Sequence, residues 1–291
     1  MAETPRHLTP FHPLRRQQAR LGVLRAAFST AGRLAPGATA RVAEALFCKT
    51  ARPAPRAEAA AFLATATRFG VRAAGQTIAG YRWGNRGPVI VFAHGWRSNA
   101  GQFAPLADAV LTAGGQVVAF DAAGHGRSSG WRSSMPEFAA SLRAVVEHVG
   151  PVQAIVGHSL GGSATVFALS RGLAAERAVV IAAPADLPAW AHHFRELVGL
   201  SPGIYSRMQR NMERRLHVTW RDLEIPVAAR LLQLPGLVIH DLHDPDVPWT
   251  EGATLSSAWR GAELITTEGL GHRAILRDAK VIRRVVEFVM P

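Results

Sequence analysis

The stretch Ile155-Val156-Gly157-His158-Ser159-Leu160-Gly161-Gly162 constrains this chain more than any other. An apolar run from Pro151 to Val156 leads into a serine with glycine two residues before it and two after it. Ser163 to Ser170 then continues with Ala, Val, Phe and Leu at helical spacing. This order predicts a strand, a tight turn and a helix. The two glycines let the backbone reverse within about four residues. Such a reversal lifts the serine oxygen above the sheet edge and leaves the first N–H groups of the helix facing the same space. Those donors and the positive helix end favour the negative charge that forms when a carbonyl is attacked, so Ser159 is the candidate nucleophile. A Gly-x-Ser-x-Gly match also arises by chance, and its weight comes from the strand and helix patterns around it.

The surrounding chain alternates in the same way. Gln76 to Trp83 reads as a strand closed by the turn Gly84-Asn85-Arg86-Gly87-Pro88. Short apolar runs at 88–93, 116–120, 152–156, 177–181, 236–240 and 262–266 read as buried strands, with helical spacing over 102–113, 135–149, 252–259 and 275–290. The expected fold class is α/β, a mostly parallel doubly wound sheet with functional groups at the carboxyl ends of its strands. The alternation breaks between Asp186 and Leu234. There Trp190, Phe194, Leu197 and Val198, then Ile204, Met208 and Met212, have helical spacing, and Pro226 to Leu234 reads as a third helix. About 48 residues exceed one crossover, so a helical cap insertion lying over the sheet is expected at 186–234.

Length allows one large domain, placed at 73–291, behind a basic Ala/Arg-rich helical extension at 1–72. The net charge of +12 is uneven: residues 1–72 hold 12 Lys+Arg and 3 acids, the remainder 21 and 18. Two amphipathic helices are expected near 14–30 and 38–48, with Pro36-Gly37 between them. Arg25 interrupts the only candidate secretory core, whereas an Arg-rich, acid-poor start also suits an organellar transit peptide. The favoured expectation is packing on the domain, with weak contact to an anionic surface as the other reading and no nucleic-acid partner. The single cysteine, Cys48, fits a reducing compartment, and the cytoplasm is the expected location. No run approaches 18 apolar residues, so no transmembrane helix is expected.

A neutral serine needs a base, and the base an orienting carboxylate. His272 lies in a Gly-bounded loop just past the last strand, and Asp241, Asp244 and Asp246 lie just past the preceding one. Ser159, Asp244 and His272 then share one sheet edge in the chain order expected after such a turn. Asp241 and Asp246 stay open as alternative acids. His240 and His243, three apart at a strand end, diverge, so no metal site is expected. His94, His125 and His158 are read as shaping loops or lining the pocket. Trp96, Trp131, Trp190 and Trp249 are read as pocket walls or packing.

Five pieces together resemble the α/β-hydrolase superfamily: His94-Gly95-Trp96, Asp121-x-x-Gly124-His125-Gly126-x-Ser128, Gly157-His158-Ser159-Leu160-Gly161-Gly162, Asp244-x-x-Val247-Pro248 and Gly271-His272. They run in the family's order over residues 75–291. The resemblance implies a nucleophilic Ser159, a base at His272, an orienting Asp244 and an oxyanion hole from the N–H groups of Trp96 and Leu160. It departs at Asp241, where a Gly is common, and at Ala123, where a Pro is common. The implied activity is cleavage of an ester or thioester of a fairly apolar acyl group, a small-molecule substrate, with no cofactor. Acyltransfer, perhydrolysis and C–C bond hydrolysis use the same residues, and a non-enzymatic binding protein on this fold is the differently classed rival. A dehalogenase or epoxide hydrolase is disfavoured because resembling enzymes carry Asp where Ser159 stands.

Overall fold

The computed structural model describes the chain from Arg15 to Met290, with side chains from Leu21 onward. It divides into two compact units. One joins the described residues before Cys48 to Pro188–His217, and the other holds Cys48–Leu187 and the described chain from Val218 on.

The larger unit is built on eight strands: β1 (Thr67–Ala73), β2 (Gln76–Trp83), β3 (Val89–Ala93), β4 (Gln116–Asp121), β5 (Ala154–His158), β6 (Arg177–Ile181), β7 (Gly236–Asp241) and β8 (Ala262–Thr267). Their order is β1-β2-β4-β3-β5-β6-β7-β8. β1 and β2 are antiparallel to their neighbours and all other pairs are parallel. The central strands are apolar on both faces because helices cover both. Successive residues divide between two cores: Val91, Val118, Ile155, Val180 and Val238 belong to one, and Phe92, Val117, Val156, Val179 and Ile239 to the other. The first core is closed by α5 (Met135–Val149), α6 (Leu160–Ser170), α9 (Ile225–Ala229) and α10 (Trp249–Ala258). The second is closed by α3 (Ala57–Ala64), α4 (Ala104–Thr112) and α12 (Ala279–Val289), and the short α11 (Gly271–Ala274) completes the helices of this unit.

β1 leaves no strand pattern in the sequence. It is an edge strand whose residues are mostly exposed, and Arg68, Gly70 and Arg72 break its apolar pattern. The stretch before it is also tied to the sheet unit. Thr50 N–H donates to Trp131 C=O at 3.1 Å, and the Arg52 guanidinium reaches the carbonyls of Gly124 (3.2 Å) and Ser128 (2.7 Å). Residues 48–52 thereby brace the loop after β4.

The smaller unit comprises α1 (Arg15–Leu34), α2 (Pro36–Phe47), α7 (Leu187–Val198) and α8 (Pro202–Leu216). Pro36-Gly37 does not separate the first two helices as expected. Pro36 occupies the first helical position of α2, where its missing N–H costs nothing, and only Ala35 interrupts. Distant segments meet here. Glu44, 9 % exposed, accepts from Arg215 Nε at 2.7 Å, and the Phe47 and Phe194 rings lie 5.1 Å apart. A Cβ on Gly32 would sit 3.3 Å from Ile204 Cγ1. Arg25 donates to the carbonyls of Leu197 (3.0 Å) and Glu196 (3.3 Å), covering the negative end of α7. The inserted block is thus divided: 188–217 joins α1 and α2, while α9 packs on α6. The third expected helix, 226–234, is one short turn followed by loop, because Pro235 and the start of β7 follow closely.

Phe92 is fully buried, with its ring 5.0 Å from that of Phe103. Phe92→Ala should lower unfolding free energy by about 3–5 kcal/mol, read as a lower urea midpoint at unchanged m-value.

Candidate active site

Ser159 stands between β5 and α6 with φ 52° and ψ −128°, a strained setting for a residue with a Cβ. Three backbone bonds hold it there. Its N–H donates to Ile181 C=O at 2.9 Å, and its own C=O accepts from Gly162 (2.8 Å) and Ser163 (3.3 Å). The turn also depends on a missing side chain, since a Cβ on Gly161 would lie 2.2 Å from Ala93 O and 2.4 Å from His94 O. The start of α6 therefore rests directly on the end of β3.

Of the three candidate acids, Asp244 bonds to His272. The Asp244 side chain is fully buried, and its Oδ2 lies 2.8 Å from His272 Nδ1. Its Oδ1 accepts the N–H groups of Asp246 (2.8 Å) and Val247 (2.9 Å). Burial alone would raise this carboxyl, but the bond and charge of His272 and the two N–H groups outweigh it and hold it below the ordinary range. An ionised Asp244 makes Nδ1 the protonated nitrogen of a neutral His272, which leaves a lone pair on Nε2. His158, the residue before Ser159, fixes the base from behind: its Nε2 donates to His272 C=O at 2.8 Å and the two rings lie 4.8 Å apart. Through His158 the backbone of His272 is tied to the turn that carries Ser159.

Asp241 and Asp246 serve elsewhere. Asp241 accepts from Thr267 Oγ1 (2.7 Å), Leu270 N–H (2.9 Å) and His243 N–H (3.0 Å), so it braces the loop that delivers His272. Asp246 pairs with Arg273 at the surface, 3.1 Å away. His240 is fully buried, its Nε2 3.0 Å from Val247 O and 3.6 Å from Asp244 Oδ2, whereas His243 is exposed. Among the described residues no group of three or more His, Cys, Asp or Glu is placed to hold a metal ion.

The oxyanion donors expected from the sequence are the N–H groups of Trp96 and Leu160. Leu160 opens α6, where the first N–H groups lack intrahelical acceptors. The peptide units on either side of Trp96 are clamped by two histidines. His94 Nδ1 lies 2.7 Å from Gly95 O while its Nε2 accepts from Ala122 N–H at 2.9 Å. His125 Nε2 accepts from Arg97 N–H at 3.2 Å and its Nδ1 bonds Ala123 O at 2.9 Å. Each ring thus donates through Nδ1 and accepts through Nε2, the neutral tautomer. Burial lowers His94 to about 4, and burial with the nearby His94 lowers His125 to about 3. The Trp96 ring packs on His125 and Phe138, while Trp131 and Trp249 are exposed. Asp121, for which the sequence pattern alone assigns no role, holds the same region: it accepts from Ala100 N–H (2.8 Å), Tyr81 OH (2.9 Å) and Arg127 N–H (2.8 Å). Its signal was available, as an Asp closing a buried strand must find donors in the loops beside it.

Hydrogen bonding holds the Asp241 carboxyl at about 2 against burial, which would raise it. A folded-state value below the unfolded one contributes stability that is present above about pH 4 and lost as pH falls through about 2. Asp241→Asn should cost about 2–3 kcal/mol at pH 7 by urea denaturation, and the gap from wild type should shrink between pH 4 and pH 2.

Comparison with known proteins agrees with this architecture. A family model described as serine aminopeptidase, S33, matches residues 84–272. The chain is 38% identical over 93 residues to a bifunctional esterase/perhydrolase of Acinetobacter calcoaceticus; the match spans 31% of this chain and 34% of that protein, about a third of each. An esterase structure from Exiguobacterium antarcticum superposes with a TM-score of 0.61 at 16% identity, covering 77% of this chain and 100% of that one. A bromoperoxidase structure from Bacillus anthracis gives 0.58 at 18% identity, covering 77% and 99%. These likenesses show the fold. With the family match running from the turn after β2 to His272 itself, the chain belongs to the S33 serine aminopeptidase family of the α/β-hydrolase superfamily.

Proposed function

We propose that this protein is a serine hydrolase that cleaves carboxylic esters or thioesters of small molecules through an acyl-enzyme. The observation that carries the reading is the 2.8 Å bond between His272 Nδ1 and buried, ionised Asp244, on a loop tied through His158 to the turn of Ser159. In this reading Ser159 Oγ attacks the substrate carbonyl as His272 Nε2 takes its proton, and Asp244 stabilises the imidazolium. The Trp96 and Leu160 N–H groups receive the oxyanion. His272 then returns the proton to the leaving oxygen or sulfur, and water, deprotonated by the same nitrogen, releases the acid.

Ester cleavage is favoured over the amide cleavage in the family's name by the esterase among the relatives. That relative is also named a perhydrolase, which makes hydrogen peroxide a second acceptor for the acyl group: it would replace water and release a peracid.

The test is turnover of p-nitrophenyl esters of graded acyl length beside aminoacyl p-nitroanilides, with and without peroxide. Wild type should hydrolyse the esters and take a single fluorophosphonate adduct by intact mass. Ser159→Ala should lose both, and Asp244→Asn should lower kcat about 10³- to 10⁴-fold. Anilide turnover exceeding ester turnover, or an adduct on Ser159→Ala, would defeat the reading. His125→Phe keeps the ring contacts with Trp96 and Phe138 but leaves Arg97 N–H without its acceptor. It should lower kcat about tenfold with KM within about twofold, which is a fraction of the loss that removing an oxyanion donor causes.

A further inference from the structure

α1 and α2 each have two apolar faces. The inner face of α1 runs through Leu24, Phe28 and Gly32, of which Phe28 is buried, and it meets the inserted helices through Gly32 and Ile204. The opposite face carries Val23, Ala27, Thr30 and Leu34, spaced four, three and four residues apart, so they form one stripe along the helix. Val23 is 72 % and Leu34 82 % exposed. α2 repeats the arrangement. Thr39, Ala40, Ala43 and Glu44 are buried, and Ala38, Val42 and Leu46 face outward with Arg41 beside them. Four of the ten large apolar side chains exposed among the described residues lie on these two helices, and the other six are divided among several helices and loops, so the largest share is here.

Charge identifies what covers it. The described residues of the smaller unit hold 11 Arg and no Lys against 3 acids, a net of +8 in 63 residues. Two of those acids are already engaged, Glu44 with Arg215 and Glu196 with His192. Arg207, Arg210 and Arg214 follow one another along the exposed side of α8, and Arg33 and Arg41 flank the apolar stripes. A second copy would bring two such units face to face and repel. Nucleic acid would find aliphatic Val and Leu where stacking requires aromatic rings. An anionic bilayer meets both features, because its acyl boundary takes aliphatic side chains while its head groups take arginines.

We propose that the outward faces of α1 and α2 are a docking surface for anionic phospholipid membranes, with Val23, Leu34, Val42 and Leu46 entering the head-group boundary and Arg33 and Arg41 pairing with lipid phosphates. The attachment is interfacial, since no described helix is long and apolar enough to cross a bilayer. It does not depend on the proposed chemistry.

The test is co-sedimentation of the full chain with vesicles of phosphatidylcholine alone or with 30% phosphatidylglycerol, at low and high salt. Binding should be at least tenfold tighter to the anionic vesicles and weaken severalfold in high salt. The triple variant Val23→Ser, Leu34→Ser, Val42→Ser should lose at least tenfold, and Arg33→Gln with Arg41→Gln severalfold. Thermal melting checks that the variants fold; if the triple does not, Leu34→Ser alone, at the most exposed position, serves and should lose about threefold. Equal binding to both vesicle types, undiminished binding by the apolar variant, or no pelleting of wild type overturns the proposal. So does concentration-dependent dimerisation, by sedimentation velocity, that the apolar variant abolishes while vesicle binding is unchanged. Tight binding to a single-stranded oligonucleotide that displaces the vesicles overturns it too.

Discussion

Three buried carboxylates hold the carboxyl edge of the sheet, and the candidate site depends on them. Where parallel strands end, the chain must leave the hydrogen-bonded ladder and its N–H groups need new acceptors. Asp121 at the end of β4, Asp241 at the end of β7 and Asp244 in the following loop provide them, each taking three donors. A carboxylate is suited to this because it accepts through two oxygens and strengthens each bond with its charge. For Asp244 one of the three donors is His272. The same arrangement that satisfies a loop elsewhere therefore orients the His272 ring here.

Four buried histidines complement these anions by staying uncharged. Burial lowers His94, His125, His158 and His240, and for His158 the neighbouring His272 adds to the effect. Each is then a rigid donor in a fixed tautomer. Neither His158 nor His240 therefore holds a positive charge beside the His272 ring, which bonds Asp244. Two ring nitrogens, Nδ1 of His158 and of His240, lack partners, which a neutral ring tolerates and a charged one would not.

Much of this was legible in the sequence because the signals are local. Buried parallel strands are continuous apolar runs, and the serine turn requires glycine where Gly161 meets the end of β3. β1 was illegible because half of an edge strand faces water and its arginines resemble a loop. Pro36-Gly37 suggested a break because the same dipeptide starts helices and turns alike. Three aspartates within six residues could not be ranked from spacing, since which one reaches His272 depends on how the loop folds back on its own N–H groups. The partners of α1 and α2 lay about 170 positions away, beyond the reach of any periodicity.

That separation affects how the chain is made. Glu44 and Arg215 are 171 residues apart. At roughly 5–20 residues per second, α1 and α2 leave the ribosome about 10–30 s before the helices they pack against. During that interval both faces of each helix are uncovered, inner and outer alike. Whatever binds these helices first, a chaperone or a surface, meets more apolar area than the finished protein displays.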